Sequence, residues 1–392
     1  MIHLRPATCL LLLVTFAPIR CAAQGYAAAQ PPPENAAVKY LRADASLRQS
    51  YPLAPDAAQT LQAALQAPLD DADEKLVAAA DDALVEFDHG AALPYCNWDL
   101  SVGDANTAHR GAITELVAVS GLRARLRFRD GNSSGAVSDV LASMAAERHL
   151  SLDGTLASVL FSYKMEQPLV EILAANLYRL SPEQLKELAG GLQSLPAGST
   201  MAAAFAAEKV RRNERLWDIA RGANTRDELI AALQTKIPLL HSDHQAAAQI
   251  VDGCGGSVAG FKTCVEQESH FDDAWASRFD GPPVLFETTY QAEIKDRSKT
   301  NPVILQFTPM LPRFRWAEIY NQTHRGLLQA AVDVQLRGPD ALSQHPDPHD
   351  GAPFSYHSID GGFRLQSRLS ENKVPLSLTV AARPENLKVN PK

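Results

Sequence analysis

Asp347-Pro-His-Asp-Gly-Ala-Pro-Phe-Ser-Tyr-His-Ser-Ile-Asp-Gly-Gly-Phe-Arg-Leu-Gln-Ser367 is where the helical texture of this chain gives way to a different period. Asp347-Pro348 and Asp350-Gly351 punctuate a tight turn, because Asp hydrogen-bonds the backbone two residues on and Gly tolerates a left-handed conformation. Phe354 and Tyr356 then alternate, Asp360-Gly361-Gly362 reverses the chain, and Phe363 and Leu365 alternate on the return. A period of two on both sides of a turn predicts a β-hairpin. A lone hairpin is marginal in water, and Val374-Pro-Leu-Ser-Leu-Thr-Val380 alternates suitably to supply a third strand. Phe354, Tyr356, Phe363 and Leu365 are the expected contacts of this module with a helix.

Upstream, from about Asn35 to 235, Ala- and Leu-rich segments recur at helical spacing, at about 57–67, 73–87, 107–129, 135–150, 153–178, 181–193 and 199–221. Ser181-Pro182-Glu183-Gln184 is a capping box with proline at the first helical position, and Asp153-Gly-Thr-Leu and Thr225-Arg-Asp-Glu228 read the same way. Asp130-Gly131 and Gly190-Gly191 mark stops or kinks. Short loops between amphipathic helices predict a helical-hairpin array, solenoid-like although no strict repeat recurs. Residues 236–311 read as mixed, with helices near 265–278 and 284–296 and a Gly-rich cysteine loop. A firm helical period over 314–336 then opens a segment, 312–382, that carries the long helix and the β module, followed by a tail at 383–392. The expected class is mainly α with a small C-terminal β module.

Arg5, an apolar run from Thr8 to Phe16 and Cys21-Ala22-Ala23 predict an export signal over residues 1–23, with a Pro-rich leader over 24–34. The competing expectation is a lipoprotein anchored through Cys21, against which Arg20 stands where a small residue is needed. The apolar run is shorter than the ~20 residues of a membrane span, so no transmembrane segment is expected in the mature chain. The expected compartment is periplasmic or extracellular. Cleavage removes Arg5 and Arg20 from 37 basic residues and leaves 35 against 45 acidic ones, a balance that argues against nucleic acid and anionic membranes. Export permits disulfides, and Cys254 and Cys264 flank Gly255-Gly256-Ser-Val-Ala-Gly260, so a 254–264 bridge is one reading and small buried thiols the other. Cys96 is the odd thiol.

The order of capped Ala/Leu-rich helices, a long helix, Asp-Pro-x-x-Gly-x-Pro-Phe-x-Tyr and a Gly-Gly-Phe-x-Leu-x-Ser strand resembles uncharacterised exported helical proteins of planctomycete and acidobacterial type. The ending resembles the C-terminal part of type II secretion pseudopilins, with residues 347–367 the specific portion. The pilin leader and long apolar N-terminal helix are missing, so pilus assembly is not carried over. The resemblance implies a fold element and an envelope setting.

His345, Asp347, His349 and Asp350 are the densest set of potential metal ligands; pseudopilin ends bind calcium through oxygens, whereas two imidazoles favour zinc, copper or nickel. Turn residues of these types also bond locally to backbone. His241-Ser-Asp-His244 reads as a cap before a helix starting near Gln245 rather than a zinc motif. Arg123, Arg125, Arg127 and Arg129 stand near a helix C-terminus, where the dipole favours cations, and spread over several faces. Glu208, Arg211, Arg212, Glu214 and Arg215 read as a solvated face. No nucleophile elbow or dinucleotide-binding glycine pattern occurs, and no cofactor is implied. The expectation is a non-catalytic interaction or scaffold protein with protein partners in the cell envelope. The alternative is an extracytoplasmic hydrolase whose site is assembled only by folding.

Overall fold

Asn35 begins the fold as an N-cap: its side chain accepts the Ala37 N–H (3.1 Å) and also exchanges hydrogen bonds with the Asn97 backbone (2.8 and 2.9 Å). The computed structural model describes residues 33–54, 57–99, 108–279, 281–297, 299–371 and 373–381. The expected signal, nearly all of the leader and the C-terminal tail lie outside the described residues.

The chain then forms α1 (Ala36–Ser50), α2 (Ala57–Ala64), α3 (Asp71–Ala79), α4 (Asp81–Ala92), α5 (Ala108–Arg129), α6 (Ser133–Ser151), α7 (Leu156–Ala174) and α8 (Pro182–Ser194). The segment 73–87, expected as one helix, is broken at Ala80, whose N–H bonds the carbonyls of Leu76 and Val77. The capping box at Ser181 is present, with Gln184 returning a bond to the Ser181 N–H (2.9 Å). Thr155, Thr200 and Thr225 cap α7, α9 (Met201–Gly222) and α10 (Arg226–Lys236) without the returned bond of a box, accepting the N–H groups of Ser158, Ala203 and Glu228; the Glu228 side chain bonds the Asn224 N–H instead.

Residues 236–311, expected to be mixed, are mainly helical: α11 (His244–Gly253), α12 (Val258–Ala276), α13 (Pro283–Arg297) and α14 (Pro302–Phe307). Of the two readings for Cys254 and Cys264, the bridge is not formed. Both thiols are free and buried, packed with Phe261, Val265 and Ile250 as small hydrophobes. Burial and the neighbouring Cys264 thiol push the Cys254 thiol upward. Gly255 and Gly256 turn the chain there with φ of 84° and 65°, which a side chain would resist. Cys96 is also free, and burial pushes its thiol up to about 12.

The long helix is α15 (Leu311–Arg337). It returns across the array to pack on α7, α8 and α13, so the helices close around a shared interior. One core joins α1–α8 to α15 and the sheet; a second lies among α9–α12. A third is aromatic, with Trp275 set edge-on to Phe286 and Tyr290 at 5.0 Å each.

The hairpin is present as β1 (Ser355–Ile359) and β2 (Gly362–Glu371), and β3 (Val374–Ala381) adds the third antiparallel strand in the order β1-β2-β3. Phe363 pairs with Val380 and Leu365 with Leu378, giving one apolar face toward α15. Phe354 is buried against α15 at Gly326, where an added Cβ would lie 3.2 Å from the ring. Tyr356 departs from expectation: it stays 37% exposed and stacks on Phe363 (5.6 Å) at the rim of the sheet. Phe363→Ala should therefore cost ~3–5 kcal/mol as a buried aromatic truncation. Chemical denaturation read by circular dichroism checks it, and an unchanged midpoint would remove Phe363 from the core.

Candidate functional site

The exposed edge of α15 carries Trp316 and Tyr320 one helical turn apart, with ring centroids 6.0 Å apart. They face a cleft of about 770 Å³ bounded by α7, α13 and α15. Its walls carry both signs of charge, Lys164 and Arg313 against Glu287 and Glu371. Met310 at its end is 63% exposed, and Tyr163 forms part of its floor. A smaller cavity of about 210 Å³ shares Glu287 and Trp316 and extends toward His349 and Arg368. A third hollow shares Tyr320 and Glu371 and reaches Val374–Ser377 of β3. The three hollows share lining residues and together run from α13 to the sheet.

A dense polar network lies beneath this groove. Glu166 of α7 accepts Arg325 Nε at 2.6 and 2.7 Å, and Asn321 Nδ2 donates to Glu166 at 3.0 Å. Glu318 accepts the Met201 N–H (3.0 Å) and pairs with Arg315 (2.7 Å), fixing the start of α9 against α15. Burial, reinforced by Glu166, holds the Glu147 carboxyl well above the usual carboxylate range. Burial lowers His324 to about 4, partly opposed by Glu166, and raises the Tyr163 phenol. Glu147, Glu166 and His324 are each at most 5% exposed and do not line the cleft. Their perturbation follows from packing, while the groove presents solvated charges and aromatic faces.

Of the four proposed metal ligands, the Asp347, His345 and Asp350 side chains are engaged by protein groups, while His349 Nδ1 is buried without a hydrogen-bond partner. Asp347 is buried, accepting the His349 N–H (2.9 Å), the Ser367 hydroxyl (2.5 Å) and the Arg368 N–H (3.3 Å). The register of β2 against β3 shifts between Gln366 and Ser370, and that bulge turns Ser367 and Arg368 toward Asp347. His345 Nε2 meets Asp333 of α15 at 2.6 Å, and Asp350 pairs with Arg368 at 3.0 Å. Among the described residues no group of three or more His, Cys, Asp or Glu is gathered to hold a metal ion. Asp347 instead clamps the turn to the sheet. Near His241 and His244, Asp243 caps α11 as expected, and the two imidazoles meet Thr235 O and Gln234 Oε1 at 3.0 Å each.

The arginine stripe of α5 is not a free basic face. Arg123 bridges Asp88 of α4 (2.8 Å) and Asp139 of α6 (2.7 Å), and Arg127 reaches Asp139 at 2.6 Å. Arg125 donates to the carbonyls of Ala64 and Ala67, and Arg129 pairs with Glu74 of α3. The solvated face expected around Arg212 is likewise corrected, since Arg212 pairs with Glu268 and Asp272 of α12, both 0% exposed. Among the described residues no helix is long and apolar enough to cross a membrane. Comparisons with protein-family models, curated proteins and solved structures found no match.

Two stability predictions follow from these geometries. Asp347→Ala leaves a hydroxyl and two backbone N–H groups without their acceptor, and should cost ~2–4 kcal/mol while chelators leave the wild-type melting temperature unmoved. A chelator-induced drop would reinstate a metal role for the turn. For His324, the unfolded chain takes up a proton below its ordinary value near 6.5, while the folded chain resists until about 4. Stability contributed by this group therefore falls as pH drops through that window, by up to ~3 kcal/mol. Asp139, raised by burial to about 6, acts in the opposite direction, so the test is a comparison between variants. His324→Met should flatten the acid side of the stability profile between pH 6.5 and 4; denaturation midpoints across that range decide it, and parallel profiles would refute the assignment.

Proposed function

We propose that this is a non-catalytic interaction protein of the cell envelope, whose groove on α15 receives a segment of a protein partner. The observation that carries this reading is the Trp316–Tyr320 pair, flanked by charges of both signs in an open cleft of about 770 Å³. Trp, Tyr and Arg are the side chains that dominate binding energy at protein interfaces, and here Trp316, Tyr320 and Arg313 line one cleft. Lys164 and Arg313 on one hand and Glu287 and Glu371 on the other suit a segment with an apolar anchor between charged residues. The envelope setting rests on the export signal read at residues 1–23.

The rival reading, a hydrolase, has Glu287 and Glu371 in the same cleft as its supporting observation. The groups with the most displaced titration, such as Glu147 and His324, lie in the packed interior, which favours binding over acid–base chemistry.

Trp316→Ala/Tyr320→Ala should leave the fold intact by circular dichroism and weaken capture of the envelope partner at least tenfold, since central aromatic anchors cost about 2 kcal/mol or more on truncation. Quantitative cross-linking and affinity purification from envelope extracts measure it. Undiminished capture would reject the groove as the interface. Turnover of an envelope polymer that is abolished by Glu287→Gln would replace binding with catalysis.

A further inference from the structure

The sheet ends in two edge strands, β1 and β3, and only one of them is blunted. β3 carries Pro375 and meets α7 and the helical turn Leu177–Arg179 in addition to α15. Glu371 and Val374 close a two-residue turn, so the next pair along, Ser370 and Pro375, is of the non-hydrogen-bonded kind, and the missing N–H of Pro375 falls on the side away from β2. Proline at that position closes an edge to a further strand. β1 has no such device. It is Ser355-Tyr-His-Ser-Ile359, packed chiefly on β2, without proline, carboxylate, lysine or arginine, and its first four residues are exposed.

The register shows which of its backbone groups are free. The two-residue turn Asp360-Gly361 closes on the pair Ile359 and Gly362. Hydrogen-bonded and non-bonded pairs alternate away from such a closing pair, so His357 and Ser355 bond to β2, while Tyr356 and Ser358 turn their N–H and C=O groups outward. Among the described residues neither Tyr356 nor Ser358 forms a backbone hydrogen bond outside the sheet. Their side chains stand cross-strand from Leu365 and Phe363 on the inner face, and Tyr356 stays 37% exposed although it stacks on Phe363. His357 stands opposite Arg364 on the outer face.

We infer that β1 pairs antiparallel with β1 of a second copy of this chain, about a two-fold axis through His357, so that two three-stranded sheets become one of six strands. In that register Tyr356 of each copy stands opposite Ser358 of the other, and every outward N–H of the two residues meets a carbonyl. The two Tyr356 rings become diagonal neighbours on the inner face, ~7–8 Å apart and within reach of each other, which covers the exposed rim. A strand that pairs with itself sets each of its charges against a like charge, and β1 carries no carboxylate, lysine or arginine. The Arg364 side chains, one strand behind, lie ~14 Å apart at three strand spacings, beyond the screening length at physiological salt. Five residues a side bury less than the roughly 1,200 Å² at which standard interfaces begin, so the dimer is weak and forms with concentration. No residue of β1 lines the groove on α15, and the inference does not rest on the function proposed for that groove.

Sedimentation equilibrium of the full chain, from micromolar to near-millimolar concentration, should show a monomer–dimer equilibrium. His357→Lys and His357→Glu, each verified as folded by circular dichroism, set like charges face to face on the two-fold and should each weaken the dimer at least about tenfold. A mixture of the two variants should associate at least as tightly as wild type, an outcome that pairing with any other strand does not produce. Trp316→Ala/Tyr320→Ala, altered only in the groove, should dimerise as wild type does. Hydrogen exchange across residues 354–359 should slow as wild-type concentration rises. A chain that stays monomeric, a dimer indifferent to His357→Lys, a variant mixture that fails to associate, or a dimer lost on changing the groove would each overturn the proposal. So would exchange across 354–359 that is already slow in the dilute monomer, the sign of another segment of the chain seated on β1.

Discussion

The ion pair between Glu166 of α7 and Arg325 of α15 joins positions 159 residues apart, and the C-terminal third of the molecule takes its place from it. Glu166 is 3% exposed at its side chain, and Asn321 donates to the same carboxylate. With Glu166 buried and Arg325 partly exposed, the pair adds little net stability compared with well-packed apolar side chains, yet removing Arg325 leaves a buried carboxylate short of its partner. Its effect is on register: α15 settles where Arg325 and Asn321 both reach Glu166. With that register set, Gly326 comes beneath Phe354, and the close approach of ring to helix backbone seats the sheet.

The same register divides α15 into an inner and an outer edge. Leu327, Leu328 and Ala331 turn into the main core, while Trp316 and Tyr320 border the groove with α7 and α13. Buried titratable groups and the more exposed groups of the groove therefore occupy adjacent layers around α6, α7 and α15. Glu147, His324 and Tyr163 carry large shifts because they are out of water. Glu287, Glu371, Lys164 and Arg313 line the cleft.

Local signals were legible wherever a few consecutive residues fix the backbone. Ser181-Pro-Glu-Gln184 specifies its own helix start, and Asp360-Gly361-Gly362 its own reversal, because the bonds involved close within four residues. The alternation of Val374–Val380 likewise identified β3. Between 236 and 311 the helices α12 and α13 and the start of α11 were legible but α14 was not, since glycines and prolines at helix ends look the same as those within irregular loops. The candidate groove was not legible. Its Lys164, Glu287, Trp316 and Glu371 come from four separate elements, and nothing in their spacing marks them as neighbours.

The sequence by itself determined the class, a helical chain ending in a small antiparallel sheet, because periodicity, caps and turns are local properties. Tertiary structure decided what the charged residues do. Arg123, Arg125, Arg127 and Arg129 look like one basic run, yet all are engaged by neighbouring elements: Arg123 and Arg127 share Asp139 of α6, Arg125 meets carbonyls at and after the end of α2, and Arg129 meets Glu74 of α3. Arg212 looks solvated but pairs with two fully buried acids of α12. Asp347 has the composition of a metal ligand but serves as an acceptor for three groups across a β-bulge. A side chain's charge is written in the sequence, whereas its partner is chosen by elements tens of residues away, and the partner determines whether that charge is a surface, a staple or a site.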